Sequence, residues 1–412
     1  MKNQGIRVTE LLDQIPQTVF DSIGLEHKVD YKAKKLAGQQ VFQLLLYGLL
    51  SSKELSLRIL EELYESPIFQ SLSSWSDAKT IDHSSLAERL STIKIEYFKG
   101  IFEHVSNNFA SNFSSEEIKK YRLVRFDSTM ISLSAKLLKM EGLRTGDHKR
   151  AVKTGNSNLN IKFSVGFDGT TVRQIELFNE QTSLSENVAL PAVIEKTALT
   201  KRDIAVFDKG ITRRKAYSQF SEEGIQFVTR VRAMQDGDKR QFRYQQVREL
   251  TCIETEKPLI TDTLMIEQDL EVHLFNDKHT KTKQTFRLIK ATILENGERI
   301  NFLTNILTLS AEEVTEIYRL RWDIEVFFKF LKQEFDFKHF LSRNENGVRV
   351  MMYMTAIAAM LIYIYRKLNR IEGFKIAKLR FINELEREII QIIVELCQGK
   401  PQLFRTLYAL KE

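Results

Sequence analysis

One segment of the sequence sets four reactive side chains at fixed intervals. Tyr318, Arg321, Glu325 and Lys332 follow the pattern Y-x2-R-x3-E-x6-K. In a helix, which turns by about 100° per residue, all four would lie within roughly 60° of one another. The opposite face would be apolar, with Leu320, Ile324, Phe327 and Leu331. Taken alone, this is also the pattern of a solvated amphipathic helix, in which Arg321 and Glu325 form a common i,i+4 ion pair.

Two further carboxylates follow short apolar segments that are typical of strands. Asp127 comes after residues 123–126, and Asp208 comes after residues 204–207. Open α/β sheets display their functional groups at the carboxyl ends of strands, although an aspartate there is equally a good helix N-cap. If the two aspartates meet Glu325, the three form a set of oxygen ligands for hard divalent cations, which can activate water and stabilise the leaving oxygen of a phosphoryl transfer.

These motifs resemble those of bacterial insertion-sequence transposases of the DDE type, the IS-four-type family that carries the Y-x2-R-x3-E-x6-K signature. The first aspartate of that family lies on an early strand, as Asp127 does here. The second lies in a D-[RK]-G turn, here Asp208-Lys209-Gly210. The resemblance extends over about residues 121–340. One departure is Ile211, since family members often have an aromatic residue after the turn.

The resemblance implies an RNase H-like core and cut-and-paste transposition. Asp127, Asp208 and Glu325 would be the catalytic residues and would bind two Mg²⁺ or Mn²⁺ ions. The implied reaction hydrolyses the 3′ end of the element, forms a hairpin through the freed 3′-hydroxyl and joins the ends to target DNA. The partners would be double-stranded DNA, as terminal inverted repeats and target, and a second copy of the chain, because two ends must be brought together.

Several residues are candidates for contacts with DNA. The signature residues Tyr318, Arg321 and Lys332 would contact the backbone and an extruded base, and the neighbouring Trp322 could stack on a base or instead lie in the core or at a domain interface. Two basic groups could follow the phosphates, or simply form a solvated face: Lys209, Arg213, Arg214 and Lys215, and Lys149, Arg150 and Lys153.

The elements that must position these residues form a mixed α/β (α+β) protein. Apolar residues alternate over 161–167 and 172–177 around the turn pair Asp168-Gly169, which predicts a hairpin, and strands then alternate with helices. The predicted division is a helical N-terminal DNA-binding region (1–118), the first part of an RNase H-like core (119–228), a β-rich insertion (229–305), the second part of the core with the glutamate helix (306–345), and a helical C-terminal region (346–412).

The N-terminal region has apolar residues at helical spacing, and Ser85 with Glu88 fits a capping box at a helix start. Such helices could read DNA or simply pack together. The chain has a net charge of +7, with the positive excess in residues 121–228 and at the C-terminus rather than in the N-terminal region. This distribution counts against the N-terminal helices as the main DNA contact.

Composition sets the remaining limits. A chain of 412 residues that is 43% hydrophobic is expected to form several packed domains. Its two cysteines cannot form a disulfide framework. The apolar run from Val350 to Tyr365 is shorter than the ~20 residues that cross a bilayer and is predicted to be a buried helix. Without a signal-peptide pattern, we expect a cytoplasmic, nucleoid-associated protein with no membrane contact.

Two other functions stay open at this stage. A catalytically silent relative would only bind element ends and repress transposition. A nuclease built on the same RNase H-like core would cleave DNA without joining it. The presence of all three acids and of the complete four-residue signature favours the active transposase.

Overall fold

The computed structural model describes residues 5–31, 33, 35–72, 80–114, 116–118, 121–132, 143–144, 159–232, 242–251, 259–276, 280–337, 341–342 and 344–400. The chain divides into two compact units. The helical unit comprises residues 1–113, 133–140 and 329–412, and the sheet unit comprises residues 114–132 and 141–328. The five-part division expected from the sequence stays a prediction.

The helices of the described residues are α1 (Val8–Leu12), α2 (Gln17–Glu26), α3 (Gly38–Ser51), α4 (Leu57–Glu65), α5 (Pro67–Leu72), α6 (His83–Thr92), α7 (Ile95–Phe113), α8 (Glu186–Lys196), α9 (Lys215–Glu222), α10 (Ala311–Arg319), α11 (Trp322–Glu334), α12 (Glu345–Leu368) and α13 (Phe374–Leu396). The strands are β1 (Arg122–Ser132), β2 (Leu143–Arg144), β3 (Leu159–Phe167), β4 (Val172–Phe178), β5 (Asp203–Phe207), β6 (Gln226–Val231), β7 (Tyr244–Thr251), β8 (Leu259–Ile260), β9 (Leu264–Leu274), β10 (Phe286–Ile293) and β11 (Arg299–Thr304).

All these strands belong to one sheet of the sheet unit, in the order β2-β3-β1-β5-β6-β11-β10-β9-β7, with β4 also on β3 and β8 also on β9. The first part is a five-stranded core in the order β4-β3-β1-β5-β6. In it β4, β3 and β1 are antiparallel, whereas β5 and β6 run parallel to β1. Three antiparallel strands followed by two parallel ones form the RNase H-like arrangement, so the predicted fold class is confirmed.

The segment between β6 and α10 is rich in strands, as the sequence predicted. Its strands β7, β9, β10 and β11 pair antiparallel, and β11 pairs with β6. The additional strands therefore extend the core sheet rather than forming a separate one. Two apparent strand segments in the sequence, 263–266 and 272–275, lie in the single long strand β9 and its immediate ends.

Apolar side chains cover both faces of the five-stranded core. On one face Phe126 and Phe207 pack with Leu190 of α8 and Phe220 of α9. The other face packs against α10 and includes Leu123, Val206, Val314 and Ile317. Strand β5 is buried along its whole length, and its successive side chains pack on the two faces of the sheet in turn. The side chains of β1 alternate in the same way, so residues two apart on this strand point to the same face of the sheet.

The fully buried side chain of Arg125 interrupts this apolar pattern on β1. Its Nη1 donates to a carboxylate oxygen of Glu117 at 2.9 Å, and its Nε donates to the carbonyl oxygen of Leu320 at 2.9 Å. Its Nη2 donates to Asp323 Oδ2, also at 2.9 Å. A buried guanidinium must have its donors satisfied, so Arg125 ties the centre of β1 to the junction of α10 and α11.

The helical unit is built around α12, which packs against α3, α6, α7 and α13. The side-chain amide of Asn346 donates to the carbonyl oxygens of Leu90 and Ile93, which ties the start of α12 to the end of α6. Helix α12 is the one helix of the described residues whose length and composition could cross a membrane, but 89% of its apolar window is buried inside the protein. It contains the run Val350 to Tyr365, which was predicted to be a buried helix.

Replacement of Arg125 by Met should lower the free energy of unfolding by about 3–5 kcal/mol, because Glu117 and Asp323 would lose their shared cation. Urea unfolding followed by circular dichroism would measure this loss. Arg202→Met is a matched control, since Arg202 forms a 3.7 Å pair with Glu116 and its side chain is 73% exposed. The control should change the free energy by about 0.5 kcal/mol or less. Equal losses in the two variants would contradict a special role for Arg125.

Candidate active site

Asp127 and Asp208 lie side by side at the edge where β5 ends. The last residue pair between β1 and β5 is Phe126 with Phe207, and each aspartate follows directly. Asp208 comes after its strand, as predicted. Asp127 was also predicted to end a strand, which is wrong: β1 continues to Ser132 because its antiparallel pairing with β3 continues there. By alternation along β1, Asp127 points to the same side of the sheet as Arg125.

The signature segment was predicted to be a single helix, and this is also wrong. Helix α10 ends at Arg319 and α11 begins at Trp322. At the break, the backbone N–H of Arg321 donates to the carbonyl oxygen of Tyr318 at 3.0 Å, a three-residue turn in place of the α-helical bond. Within the same break, Nε of Arg125 donates a hydrogen bond to the carbonyl oxygen of Leu320. The contacts of Arg125 thus stabilise a kink that no helical periodicity indicates.

Arg321 lies between two of the three carboxylates. Its Nη2 is 2.5 Å from Glu325 Oε1, and its Nη1 is 4.0 Å from Asp127 Oδ2. Its guanidinium also lies 5.7 Å from the centroid of the Tyr318 ring. The Arg321 side chain is only 11% exposed, so this cation neutralises the two acids in a partly dry environment.

Asp208 has a separate set of partners. The Tyr318 hydroxyl donates to Asp208 Oδ1 at 2.8 Å, and Nε of Arg230 donates to the same oxygen at 3.1 Å. The backbone N–H of Lys209 donates to it as well, at 2.7 Å. Tyr318 and Arg321, three residues apart, therefore each hold a different acid of the site.

These surroundings shift the pKa values of the two aspartates in opposite directions. Burial, with the negative charges of Glu186 and Glu325, outweighs Arg321 and raises the pKa of Asp127 from 3.8 to about 6. Burial also acts to raise the pKa of Asp208. There, however, the hydrogen bonds from Lys209 and Tyr318 and the positive charges of Arg230 and Arg321 prevail and hold the pKa below its usual value.

The donor set suits a hard divalent cation. Asp127, Asp208 and Glu325 offer carboxylate oxygens, and their side chains are 33%, 35% and 35% exposed. The Arg321 guanidinium lies between Asp127 and Glu325, 4.0 Å from one carboxylate and 2.5 Å from the other. In the part of the chain that the structure describes, the group whose donor atoms all lie within 4.8 Å of one another is elsewhere, at Glu61, Asp82 and His83 of the helical unit.

The remaining signature and stacking candidates are accessible to solvent. Lys332 is exposed in the last turn of α11. Trp322, the first residue of α11, is 61% exposed, so the alternative interpretation of Trp322 as a core residue is wrong. Their role in DNA binding stays a prediction.

The basic run after Asp208 separates into two kinds of residue. Lys209, Arg213 and Lys215 are exposed. Arg214 is half-buried: its guanidinium donates to the carbonyl oxygen of Phe275 at 2.9 Å and lies 5.1 Å from the centroid of the Phe242 ring. Ile211, where the family often has an aromatic residue, is buried in the core. The second basic group, Lys149, Arg150 and Lys153, lies outside the described residues.

Sequence reasoning missed Arg125 and Arg230. A charged residue inside the apolar segment 123–126 was a signal for Arg125, since buried cations are rare unless they are paired. Arg230 gave no such signal, because only the pairing of β6 beside β5 brings it next to Asp208.

Comparison with known proteins finds one matching family and several similar proteins. Residues 119–361 match the family described as "Transposase DDE domain". The chain is 24% identical over 76% of its length to a Synechocystis protein named as a transposase for insertion sequence element IS4SA, covering 81% of that protein. It is 28% identical over 40% of its length to a protein named transposase y4zB from Sinorhizobium fredii, of which it spans 43%. A piggyBac transposase synaptic complex with hairpin DNA superposes with a TM-score of 0.49 at 11% identity, over 98% of this chain and 84% of that one.

The opposite pKa shifts predict opposite effects of neutralising the two aspartates. A raised pKa means that the Asp127 charge destabilises the folded state once the pH exceeds about 6. In metal-free buffer at about pH 8, Asp127→Asn should therefore raise the midpoint of thermal unfolding by about 1–3 °C. The gain should shrink as the pH falls, because the folded protein then holds Asp127 protonated.

Asp208→Asn is the matched comparison and should lower the midpoint at the same pH. A lowered pKa means that the charged form of Asp208 stabilises the fold above its usual pKa, and that this stability is lost only as the pH falls through the folded value. Differential scanning fluorimetry over a pH series would measure both effects. Shifts of the same sign in the two variants would contradict the assigned electrostatics.

Proposed function

Since this chain belongs to the transposase DDE-domain family, we propose that it cuts and joins DNA at the ends of an insertion sequence. Asp127, Asp208 and Glu325 are the proposed metal ligands and catalytic residues. The observation that carries the assignment is the meeting of these three acids around Tyr318 and Arg321, which are themselves signature residues. Residues from two neighbouring strands and one helix would not converge in this way on a merely solvated helix face.

The ions proposed are Mg²⁺ or Mn²⁺, two per site. When bound, they would activate a water or a 3′-hydroxyl and stabilise the leaving oxygen of the phosphoryl transfer. The protein's own contribution is to orient the ligands and to balance part of their negative charge. The Tyr318 hydroxyl and Arg230 hold Asp208 in its charged form. Arg321 compensates Asp127 and Glu325 while no ion does so.

The exposed cations of the basic run after Asp208 and of the signature are the proposed DNA contacts. Lys209 and Arg213 flank the turn after Asp208, Lys215 begins α9, and Lys332 extends from α11. Each would bind a backbone phosphate without reading sequence. Trp322 offers an exposed ring for stacking on an unpaired base, and Tyr318, whose hydroxyl donates to Asp208, is a proposed DNA contact beside the metal ligands. Arg214 contributes to folding more than to phosphate binding, because its guanidinium is already engaged.

The proposed substrates are the double-stranded terminal inverted repeats of the element and the target DNA. Two chains would act together, because two ends must be held during joining. Opening of the second strand through a hairpin is the proposed route, and the protein would act on DNA in the cytoplasm, at the nucleoid.

The first test is cleavage of DNA that carries the inverted repeats flanking the protein's own gene, with Mg²⁺ or Mn²⁺. Asp127→Asn, Asp208→Asn and Glu325→Gln should each reduce nicking by about 10³-fold or more, because removing one ligand disrupts the two-metal arrangement. Gel-shift affinity for the same DNA should fall much less. Glu316→Gln is the control, since Glu316 pairs with Arg319 at the surface of α10 and should leave cleavage unchanged.

Each alternative has its own signature in this assay. Full cleavage by Glu325→Gln would make the ligand assignment wrong. Cleavage without joining, and without need for the inverted repeats, would indicate a nuclease. Tight binding of the repeats by the wild-type chain without any cleavage would indicate an end-binding repressor.

A further inference from the structure

A fourth carboxylate, Glu186, lies behind the candidate site at the start of α8. Its Oε1 accepts a hydrogen bond from Lys162 Nζ at 2.8 Å, and its Oε2 accepts one from the Ser128 hydroxyl at 3.2 Å. Ser128 is the neighbour of Asp127 on β1. Successive strand residues point to opposite faces, so Glu186 contacts the α8 face of β1 while Asp127 points to the α11 face.

Lys162 fixes the position of the Glu186 carboxylate. The Lys162 side chain on β3 is only 3% exposed, and its ammonium also donates to the carbonyl oxygen of Leu184. A buried ammonium needs such partners, so Glu186 has little freedom to leave. The Ser128 hydroxyl lies 2.8 Å from that of Ser164, and the Ser128 backbone N–H donates to Asp127 Oδ1 at 2.8 Å. A continuous series of polar contacts thus runs from Lys162 to Asp127.

The same helix turn also holds the loop that follows Asp208. A Cβ atom on Gly210 would lie 2.7 Å from Glu186 Cβ, a distance that real Cβ atoms essentially never show. Glycine at the third position of the D-K-G turn is therefore required for Glu186 to approach. The next residue, Asn187, accepts hydrogen bonds through Oδ1 from the backbone N–H groups of Thr212 at 2.7 Å and Arg213 at 2.9 Å.

We propose that the first turn of α8, through Glu186 and Asn187, is a positioning element that sets Asp127 and Asp208 relative to each other. Glu186 acts on Asp127 through Ser128, and Glu186 and Asn187 act on Asp208 through residues 210–213. Glu186 itself is not assigned as a ligand, because it contacts the α8 face of β1 through Ser128, whereas Asp127 points to the α11 face. This role rests on the proposed function, since it concerns the residues assigned to metal.

The same helix provides a matched control. At the other end of α8, Lys196 forms a 2.8 Å ion pair with Glu176 of β4, of the same length as the pair between Lys162 and Glu186. The Lys196 side chain is 58% exposed and the Glu176 side chain 17%, so the ammonium of this pair, unlike that of Lys162, is solvated. Glu176→Ala removes an ion pair from α8 without touching residues 128 or 210–213.

The experiment compares Glu186→Ala, Glu186→Gln and Glu176→Ala in the full chain. Mn²⁺ affinity is measured by electron paramagnetic resonance, nicking by the cleavage assay, and mobility of residues 208–213 by hydrogen–deuterium exchange. Glu186→Ala should weaken Mn²⁺ binding and slow nicking by about 10-fold or more, the usual effect of losing a residue that orients a ligand. Residues 208–213 should exchange faster. Glu186→Gln can accept from Lys162 through its amide oxygen and donate through its amide nitrogen to the Ser128 hydroxyl, which can then donate to Ser164 instead, so this variant should stay within about threefold of wild type.

Glu176→Ala should stay within about twofold in every readout, as expected for a solvated pair. If Glu186→Ala behaves like this control, the proposal is wrong. If Glu186→Gln loses as much as Glu186→Ala, the negative charge beside Lys162 is needed rather than the hydrogen bond to Ser128, and the proposed positioning of Asp127 through Ser128 is wrong.

Two further results keep the inference separate from the proposed function. Gly210→Ala should reproduce the Glu186→Ala phenotype by displacing Glu186 without removing it, and it serves where Glu186→Ala fails to fold. Unchanged Mn²⁺ binding in Gly210→Ala would overturn the proposal. If the wild-type chain neither cleaves DNA nor binds Mn²⁺, the proposed function fails. Hydrogen–deuterium exchange at residues 208–213 then tests the positioning role by itself. Equal exchange rates in wild type and Glu186→Ala would overturn that role.

Discussion

The buried guanidinium of Arg125 is the interaction on which the arrangement of the site depends. It lies two residues before Asp127 on β1, and its donors are satisfied by Glu117, the Leu320 carbonyl and Asp323. Leaving any of these bonds unmade in the interior would be costly, so the start of α11 is held against β1. Because Glu325 follows Asp323 by two residues, the same contact places the helix that carries Glu325 beside the strand that carries Asp127.

The carboxylates of the site differ in how many hydrogen-bond donors and positive charges surround them. Asp208 has a phenol, a guanidinium and a backbone N–H on its carboxylate, whereas Asp127 shares Arg321 with Glu325 at a longer distance. The raised pKa of Asp127 is an electrostatic cost caused first by burial and then by the neighbouring charges of Glu186 and Glu325, which the Ser128 N–H and Arg321 only partly offset. A divalent cation would remove that cost, which is why this crowding is consistent with a metal site and would be a disadvantage in a purely structural one.

Local patterns in the sequence predicted what depends on local physics. The hairpin around Asp168 and Gly169, the position of Asp208 after β5 and the strands of residues 229–305 follow from alternation and turn residues. One of the misses has a local cause and the other a tertiary one. Ser85 was expected to cap a helix, but α6 begins earlier at His83 because Asp82 accepts the N–H of Ser84. Asp127 lies inside a strand because β3 extends past the end of β5.

The break between α10 and α11 changes what the signature spacing means. On one continuous helix, the spacing Y-x2-R-x3-E would describe residues on a shared face. With the helix interrupted between Arg319 and Trp322, the spacing instead lets Tyr318 reach Asp208 from the end of α10 and lets Arg321 reach Asp127 and Glu325 from the turn. The pattern is thus a set of contacts to two strands, and a substitution that straightened the break would separate them even if all four residues were kept.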